Sequence, residues 1–488
     1  MSFMFKNRPA KAKEQVVKTV QVKNTTPTAK SNNLRPTLPR ALSDIRGTPR
    51  NQAYVRNSTR TPESSIEPSP RRRIAKKRDL EERLESDSDE DNDSATSALD
   101  FTNRHKRRKR ASDAKIDKER VLKATSKFTS VDDDKLIHAW KIANLEILKQ
   151  KYKPTLGATK DQINVELQYP GSSRREKYML VWAKNEFDPV EEIIAVVKTF
   201  TNFFLTFEQA EPFQNPENGV IRRMERAKAI QDVGLFKQAL DDYNREVGNL
   251  RSEGTIEGFL TSRHMLSKDL VKQIMKQIYD RAISPDIKEL GKDTSEKKFT
   301  YGELEPEFVH QLLVDSGISS GQVFVDLGSG VGNVVAQAAL QIGCESWGCE
   351  IVKKLTPLAR RQKRECEARC RLWGINIGAI ELEEGDFTEN SKIQDAMRRA
   401  DVILVNNEVF PEETNQSLLQ MFLDLKDGCQ IISLKPFRRP DQSVSIRNEN
   451  DLSRNLDVVK KEHAQGMVSW KYDGGSYYVT TKRSYTSS

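Results

Sequence analysis

The stretch that decides the fold is Val323-Phe-Val-Asp-Leu-Gly-Ser-Gly-Val-Gly-Asn-Val-Val-Ala-Gln337. Apolar and β-branched residues around Asp326, then glycines at 328, 330 and 332, then apolar residues at helical spacing from Asn333 to Leu340, predict a buried strand, a tight turn and a helix. Such a turn lets backbone approach a ligand closely. The spacing is G-x-G-x-G, distinct from the G-x-G-x-x-G of dinucleotide binders.

Two acidic residues frame that turn. Asp326 ends the first strand, and Glu350 closes the next apolar segment, Ser346-Trp-Gly-Cys-Glu350. Asp326 suits a cationic amino-acid end of a ligand, and Glu350 suits ribose hydroxyls. The pair fits S-adenosylmethionine better than NAD, whose pyrophosphate would be repelled by Asp326. A glycine turn of this kind also occurs in doubly wound proteins that bind nothing there, so the acids carry the reading.

The chain has 488 residues and a net charge of +9, unevenly spread. Residues 1–130 carry +14, which leaves −5 for 131–488. The first 130 residues lack sustained apolar periodicity and predict a disordered basic tail. Within it stand Arg71-Arg-Arg-Ile-Ala-Lys-Lys-Arg78, the acidic Glu85-Ser-Asp-Ser-Asp-Glu-Asp91, and a second basic run comprising Arg104, Lys106, Arg107, Arg108, Lys109 and Arg110. The basic runs predict nuclear import, nucleic-acid phosphate contact, or both. Five cysteines have no zinc-site spacing and read as reduced, buried thiols. No apolar run is long enough to span a membrane.

Residues 131–298 predict a mainly helical region. Asp188-Pro-Val-Glu191 opens one helix with a capping aspartate and proline at the first helical position. Others are expected from Ile221 to about Val247 and from Ser267 to Ile283. Its expected role is packing. From 299 to 488, strands are expected at 323–327, 344–351, 379–383, 401–406, 429–435, 464–470 and 476–481, with Tyr472-Asp-Gly-Gly475 as the turn of a terminal hairpin. The first four or five alternate with helical stretches, which predicts an α/β fold: a Rossmann-like, seven-stranded methyltransferase sheet ending in an antiparallel hairpin.

Ligands of such sheets lie beyond the carboxyl ends of the strands. There the sequence places the glycine turn, Glu350, Gly385-Asp-Phe387 and Asn406-Asn-Glu-Val-Phe410. Asp386 is expected to accept from an adenine amino group while Phe387 covers the ring. Asn406 and Asn407 would sit nearest the transferred methyl, where an amide oxygen can orient an amine. Neither His310 nor His463 is placed as a base, and each reads as structural.

Tyr301-Gly-Glu303, Asp326-Leu-Gly-Ser-Gly-Val-Gly-Asn333, Gly385-Asp-Phe387, Val405-Asn-Asn407, Ser433-Leu-Lys-Pro-Phe437, Val468-Ser-Trp470 and Ser476-Tyr-Tyr478 occur in that order. Together they resemble the disruptor-of-telomeric-silencing family of non-SET histone H3 lysine methyltransferases, over about residues 165–488, with a long basic tail like that of the fungal branch. The resemblance implies methyl transfer to lysine seventy-nine of nucleosomal histone H3, in chromatin regulation and telomeric silencing, in the nucleus. By that resemblance Tyr301, Gly302, Glu303, Asp326, Gly328, Gly330, Gly332, Asn333, Glu350, Asp386 and Phe387 would hold S-adenosylmethionine. Asn406 would orient the lysine amine and Tyr477 would shape its channel, lined further by Phe410 and Trp470. The implied partners are the nucleosome, with its DNA met by the basic tail, histone H4 and ubiquitylated histone H2B; no metal and no membrane are implied. One departure stands out: the family has an aromatic directly after the two asparagines, and here Glu408 occupies that lip while Phe410 keeps the second aromatic.

Two other readings stay open at this stage. A nucleic-acid amino-methyltransferase would also use a basic tail and an asparagine motif, although the proline-shaped slot for a flat base is missing from Asn407-Glu408-Val409. A non-catalytic chromatin-binding scaffold would account for Glu408.

Overall fold

The computed structural model describes residues 116–147, 151–286, 302–439, 452–469 and 472–484. The basic runs at 71–78 and 104–110, the acidic run at 85–91, Tyr301 and Trp470 lie outside the described residues.

The half from residue 302 onward is built on Val323–Leu327, buried along its whole length because it lies inside the sheet with a strand on either side. Strand labels begin in the helical half, with β1 at Asn164–Gln168 and β2 at Arg175–Met179, paired antiparallel. The main sheet then comprises β3 (Val323–Leu327), β4 (Glu345–Glu350), β5 (Ile380–Glu384), β6 (Val402–Val405), β7 (Gln430–Ser433), β8 (Leu456–His463) and β9 (Gly475–Lys482). Its order is β8-β9-β7-β6-β3-β4-β5. The five strands from β3 to β7 are parallel, and β9 inserts antiparallel between β7 and β8. This is the expected methyltransferase arrangement.

The sixth strand lies elsewhere than expected. It is Leu456–His463, paired in register from Leu456↔Lys482 to His463↔Gly475, whereas 464–470 was expected. Leu456 and Val458 are buried in alternation, and the following segment turns at Gly466, whose φ is +69°. Val468 instead bridges antiparallel to Leu304, so the link between the two strands of the hairpin carries a separate task.

In the helical half, α1 (Pro189–Phe204) begins as expected, with Asp188 accepting from the backbone N–H groups of Val190 and Glu191. The long helix expected from Ile221 is two: α2 (Val220–Ile230) and α3 (Val233–Ser252), separated where Gln231 takes a left-handed conformation with φ +56°. Then comes α4 (Lys268–Ala282), capped by Ser267, with Leu270, Val271, Ile274, Met275 and Ile278 buried. Around the seven-stranded sheet lie α5 (Pro306–Ser316), α6 (Asn333–Gln341), α7 (Thr356–Trp373), α8 (Ser391–Arg399) and α9 (Glu412–Met421).

One apolar core runs through both halves. Ile274 and Ile278 of α4 share it with Val335 and Ala339 of α6 and with Cys366, Cys370 and Trp373 of α7. The five cysteines are buried and unpaired in disulfides, in agreement with the sequence reading. An ionic network spans the same seam. Arg281 pairs with Glu176 at 2.8 Å and Glu192 at 2.7 Å, while Arg369 pairs with Glu365 at 2.7 Å and also with Glu176. Burial alone would raise the Glu176 carboxyl, but Arg281 and then Arg369 hold it well below the ordinary carboxylate range.

Residues 116–130 were assigned to the basic tail, and the structure places them on the folded body. Leu122 is fully buried, and Arg120 donates to the carbonyls of Leu340 and Asn376. Asp117 accepts from the Ser320 N–H at 2.7 Å, and Lys123 bridges to Ile375. The short apolar pair Val121-Leu122 within a polar context gave too little periodicity to reveal this strap.

Candidate active site

The turn after β3 follows from its glycines. Gly328 has φ +85°, and a Cβ there would stand 3.1 Å from Cζ of Phe410. Glycine at this position therefore serves both the left-handed turn and the close seat of an aromatic from the loop after β6. Phe410 in turn stacks on Phe387, with ring centroids 6.1 Å apart and planes 27° apart. The structure thus brings three separated motifs together: the glycine turn, Gly385-Asp-Phe387 and the loop from Asn406 to Phe410.

Glu350 closes the turn from the other side. One carboxylate oxygen accepts from Gly330 N–H and the other from Val352 N–H, each at 2.8 Å. Gly328 and Ser329 N–H groups donate to the carbonyl of Cys349. Asn333, the first residue of α6, donates through Nδ2 to Glu303 at 2.8 Å.

Asp326 is the electrostatic anomaly. It is 3% exposed, and among the described residues its carboxylate has no hydrogen bond or ion pair. Burial, reinforced by the Glu350 carboxylate, pushes its carboxyl up to about 8. A buried acid beside a second acid is a place for a cationic group, since a positive charge there would restore the ionised form of Asp326. That donor set fits the ammonium end and ribose of S-adenosylmethionine. Asp386 uses one oxygen for the N–H and hydroxyl of Thr388, at 2.8 and 2.7 Å, which fixes its carboxylate beside Phe387.

The two asparagines have different tasks. Asn407 is 1% exposed, and its oxygen accepts from the N–H groups of Leu434 and Lys435 while its amide donates to Asn415 and to the Lys435 carbonyl. It clamps the loop after β6 to the end of β7 and has nothing left for a substrate. Asn406 donates to the carbonyl of Gly302 at 3.4 Å, and its oxygen has no partner among the described residues. Glu408 is exposed, with its carbonyl accepting from Lys435.

Tyr477 lies on β9, 1% exposed, edge-on to Phe308 of α5, and its hydroxyl donates to Asp315 at 3.1 Å. His310 lies half-buried on α5, where burial lowers its pKa, and the His463 ring packs on Phe308. Tyr301 and Trp470 fall outside the described residues, but their flanks meet: Ser469 donates from its N–H to the Glu303 carbonyl at 2.9 Å, and Glu303 N–H donates to the Ser469 hydroxyl at 2.8 Å.

Some supporting residues were missed in the sequence. Val331 of the glycine turn is buried with Ala282 and Ile283, and the Tyr279 hydroxyl of α4 bonds Glu303. The helical half therefore buttresses the site. A signal was available in the polar Gln277 and Arg281, four residues apart on the buried face of an otherwise apolar helix.

Comparison with known proteins places this geometry. The family described as "Histone methylation protein DOT1" matches residues 279–482. A protein of Gibberella zeae named "Histone-lysine N-methyltransferase, H3 lysine-79 specific" is 44% identical over 417 residues, covering 84% of this chain and 83% of that one. Proteins of the same name are 38% identical in Emericella nidulans, over 78% of this chain and 76% of theirs, and 35% identical in Aspergillus fumigatus, over 97% and 94%. Among solved structures, an RNA methyltransferase from Salinibacter ruber in complex with S-adenosyl-L-homocysteine is 21% identical, covers 38% of this chain and 97% of its own, and has a TM-score of 0.25. With the paired acids, the seven-stranded order and the three fungal relatives in agreement, the chain belongs to the family of H3 lysine-79-specific histone-lysine N-methyltransferases.

Proposed function

We propose that this chain transfers methyl groups from S-adenosylmethionine to the side-chain amine of lysine seventy-nine of histone H3 within the nucleosome, acting in the nucleus and in telomeric silencing. The observation that carries this reading is the partnerless, buried Asp326 beside Glu350, under a turn roofed by Phe410 and Phe387. S-adenosylmethionine supplies a methyl on a positively charged sulfur, which departs as a neutral thioether.

The chain's own residues then have three tasks. Asp326 and Glu350 hold the cationic and hydroxyl-bearing parts of that ligand. Phe387 covers the adenine ring beside Asp386, and Phe410, stacked on it, gives an apolar wall that disfavours the ammonium form of an incoming lysine, whose free amine has a pKa near 10.4. The Asn406 oxygen, left open while its amide holds Gly302, accepts from the neutral amine and points its lone pair at the methyl. The proton of the product leaves to water. Tyr301, Gly302, Glu303 and Asn333 complete the ligand's surroundings, and Trp470 and Tyr477 line the amine's approach with Glu408 at its lip. The basic run at 104–110 meets nucleosomal DNA, and histone H4 and ubiquitylated histone H2B are further contacts.

Mass spectrometry of histones after incubation of the full chain with nucleosomes and S-adenosylmethionine tests this, with naked DNA and RNA in parallel. Methylation of lysine seventy-nine is expected. Label on nucleic acid would replace this reading with a nucleic-acid amino-methyltransferase, and tight ligand binding with no acceptor methylated would leave a scaffold.

A further inference from the structure

A polar cleft of about 750 Å³ opens in the helical half, between α3 and the β1–β2 hairpin. Asn244 builds it: its oxygen accepts from Gln168 N–H at 2.7 Å and its amide donates to the Glu166 carbonyl at 2.9 Å, pinning helix to strand. The cleft carries five cations, Arg174, Arg175, Lys177, Arg245 and Arg251, against two acids, Asp133 and Glu166. Arg175 and Lys177 project outward together because the strand's alternation sends Glu176 and Tyr178 into the core.

The pairing of those cations is incomplete. Arg245 is met by Asp242 and Glu246, and Arg174 by Asp133 at 3.6 Å. Arg175, Lys177 and Arg251 have no ion pair among the described residues, and Nε of Arg251 is buried without a hydrogen-bond partner. Glu166 stands opposite Lys177 in register without pairing to it. At Gly248 a Cβ would meet nothing within 4 Å, so the helix there faces open space.

We propose that this cleft binds backbone phosphates of nucleic acid. Its lining holds guanidinium, ammonium, amide and hydroxyl groups and no apolar or aromatic side chain. Those groups suit phosphodiester oxygens, with nothing on which to stack a base or seat an apolar peptide side chain. Contact is therefore independent of sequence, and it is local: residues 131–488 carry −5 overall. The site is separate from the methyl-transfer reading and does not rest on it.

The test uses the full chain with a short DNA duplex, by fluorescence anisotropy across a salt series. Two cleft variants are compared with wild type: Gly248→Glu, which adds a carboxylate into open space, and the charge-reversed pair Lys177→Glu with Arg251→Glu. Arg222→Glu, at an exposed position on α2, controls for net charge. Gly248→Glu should weaken binding at least threefold and the double variant about tenfold, with the salt slope of the double variant shallower by about 2. Arg222→Glu should change affinity less than twofold. Because glycine is a poor helix former, Gly248→Glu should not lower the melting temperature, which keeps the result separate from misfolding. DNA affinity and slope unchanged in both cleft variants would overturn the proposal. So would cleft variants that lose binding to a polyglutamate peptide while keeping DNA.

Discussion

Phe410 rests its ring on Gly328, 82 positions earlier in the chain, so closely that a Cβ at the glycine would stand 3.1 Å from the ring edge. The aromatic wall expected beside the lysine amine is thus seated directly on the turn expected to hold the methyl donor. Gly328→Ala should break both. A left-handed backbone costs an alanine about 1–2 kcal/mol, and Phe410 must also shift. Calorimetry should show S-adenosylmethionine binding weakened roughly tenfold or more; unaltered affinity would mean the turn adapts.

Asp326 gives a pH signature. Its carboxyl is raised to about 8, by burial first and Glu350 second. The native chain keeps this proton over an interval where the unfolded chain has lost it. Its stabilising contribution is therefore complete below about pH 4 and drains away as pH rises towards 8. In the ligand-free chain, Asp326→Asn should remove that decline, so the variant gains on wild type in urea unfolding between pH 5 and pH 8. Wild-type affinity for S-adenosylmethionine should rise over the same interval, because the cation binds the ionised form, and the variant's affinity should be low and flat.

Asn406→Ala should separate chemistry from binding. With the asparagine oxygen gone, the amine loses its orientation, and kcat on nucleosomes should fall about a hundredfold. Affinity for S-adenosylmethionine should change far less, since only the 3.4 Å bond to the Gly302 carbonyl is lost from the ligand side. Equal losses in both would assign Asn406 to ligand binding. Asn407→Ala should instead lower stability, because it leaves the Leu434 and Lys435 N–H groups without their acceptor.

The ionic seam is expected to be fragile in one direction. Arg281→Met leaves Glu192 buried without its ion-pair partner and Glu176 with Arg369 alone, and should cost about 3–5 kcal/mol, read as a shifted denaturant midpoint. An unshifted midpoint would mean that the carboxyls simply take up protons.

Deleting the basic run tests the tail, and the structure says where to cut. Removal of residues 101–130 would also strip Leu122 and Arg120 from the folded body. Removal of 101–115 leaves that packing intact. It should weaken nucleosome binding and flatten its salt dependence, without changing ligand affinity; an unchanged slope would leave the run as an import signal alone.

Strands β3, β6 and β7 were legible because each is a short apolar run between turn residues, buried along most or all of its length, while β4 and β5, only partly buried, were legible from their place between helical stretches. Asp326 and Glu350 were legible because an acid ending an apolar strand conflicts with its surroundings. The β1–β2 hairpin and the strap at 116–124 were not, since their information lies in partners far along the chain. Glu176 gains meaning only with Arg281 and Arg369, 105 and 193 positions away. Likewise, Asn406 and Asn407 are neighbours with the same side chain, and only the position of β7 makes one a clamp and leaves the other open.

The strap has a consequence for reach. It is fastened at Ser320, Leu340 and Asn376, which precede β3, β4 and β5, and so at the edge opposite the glycine turn. Arg110 is six residues from Ile116, a leash of roughly 20 Å at full extension. On the proposed contact between this run and DNA, the leash would hold that DNA toward the amino ends of β3, β4 and β5, away from the glycine turn. The anchor acts as a gauge: lengthening the leash with glycine and serine should leave the grip on DNA intact while loosening the register between that DNA and the lysine presented on the other side.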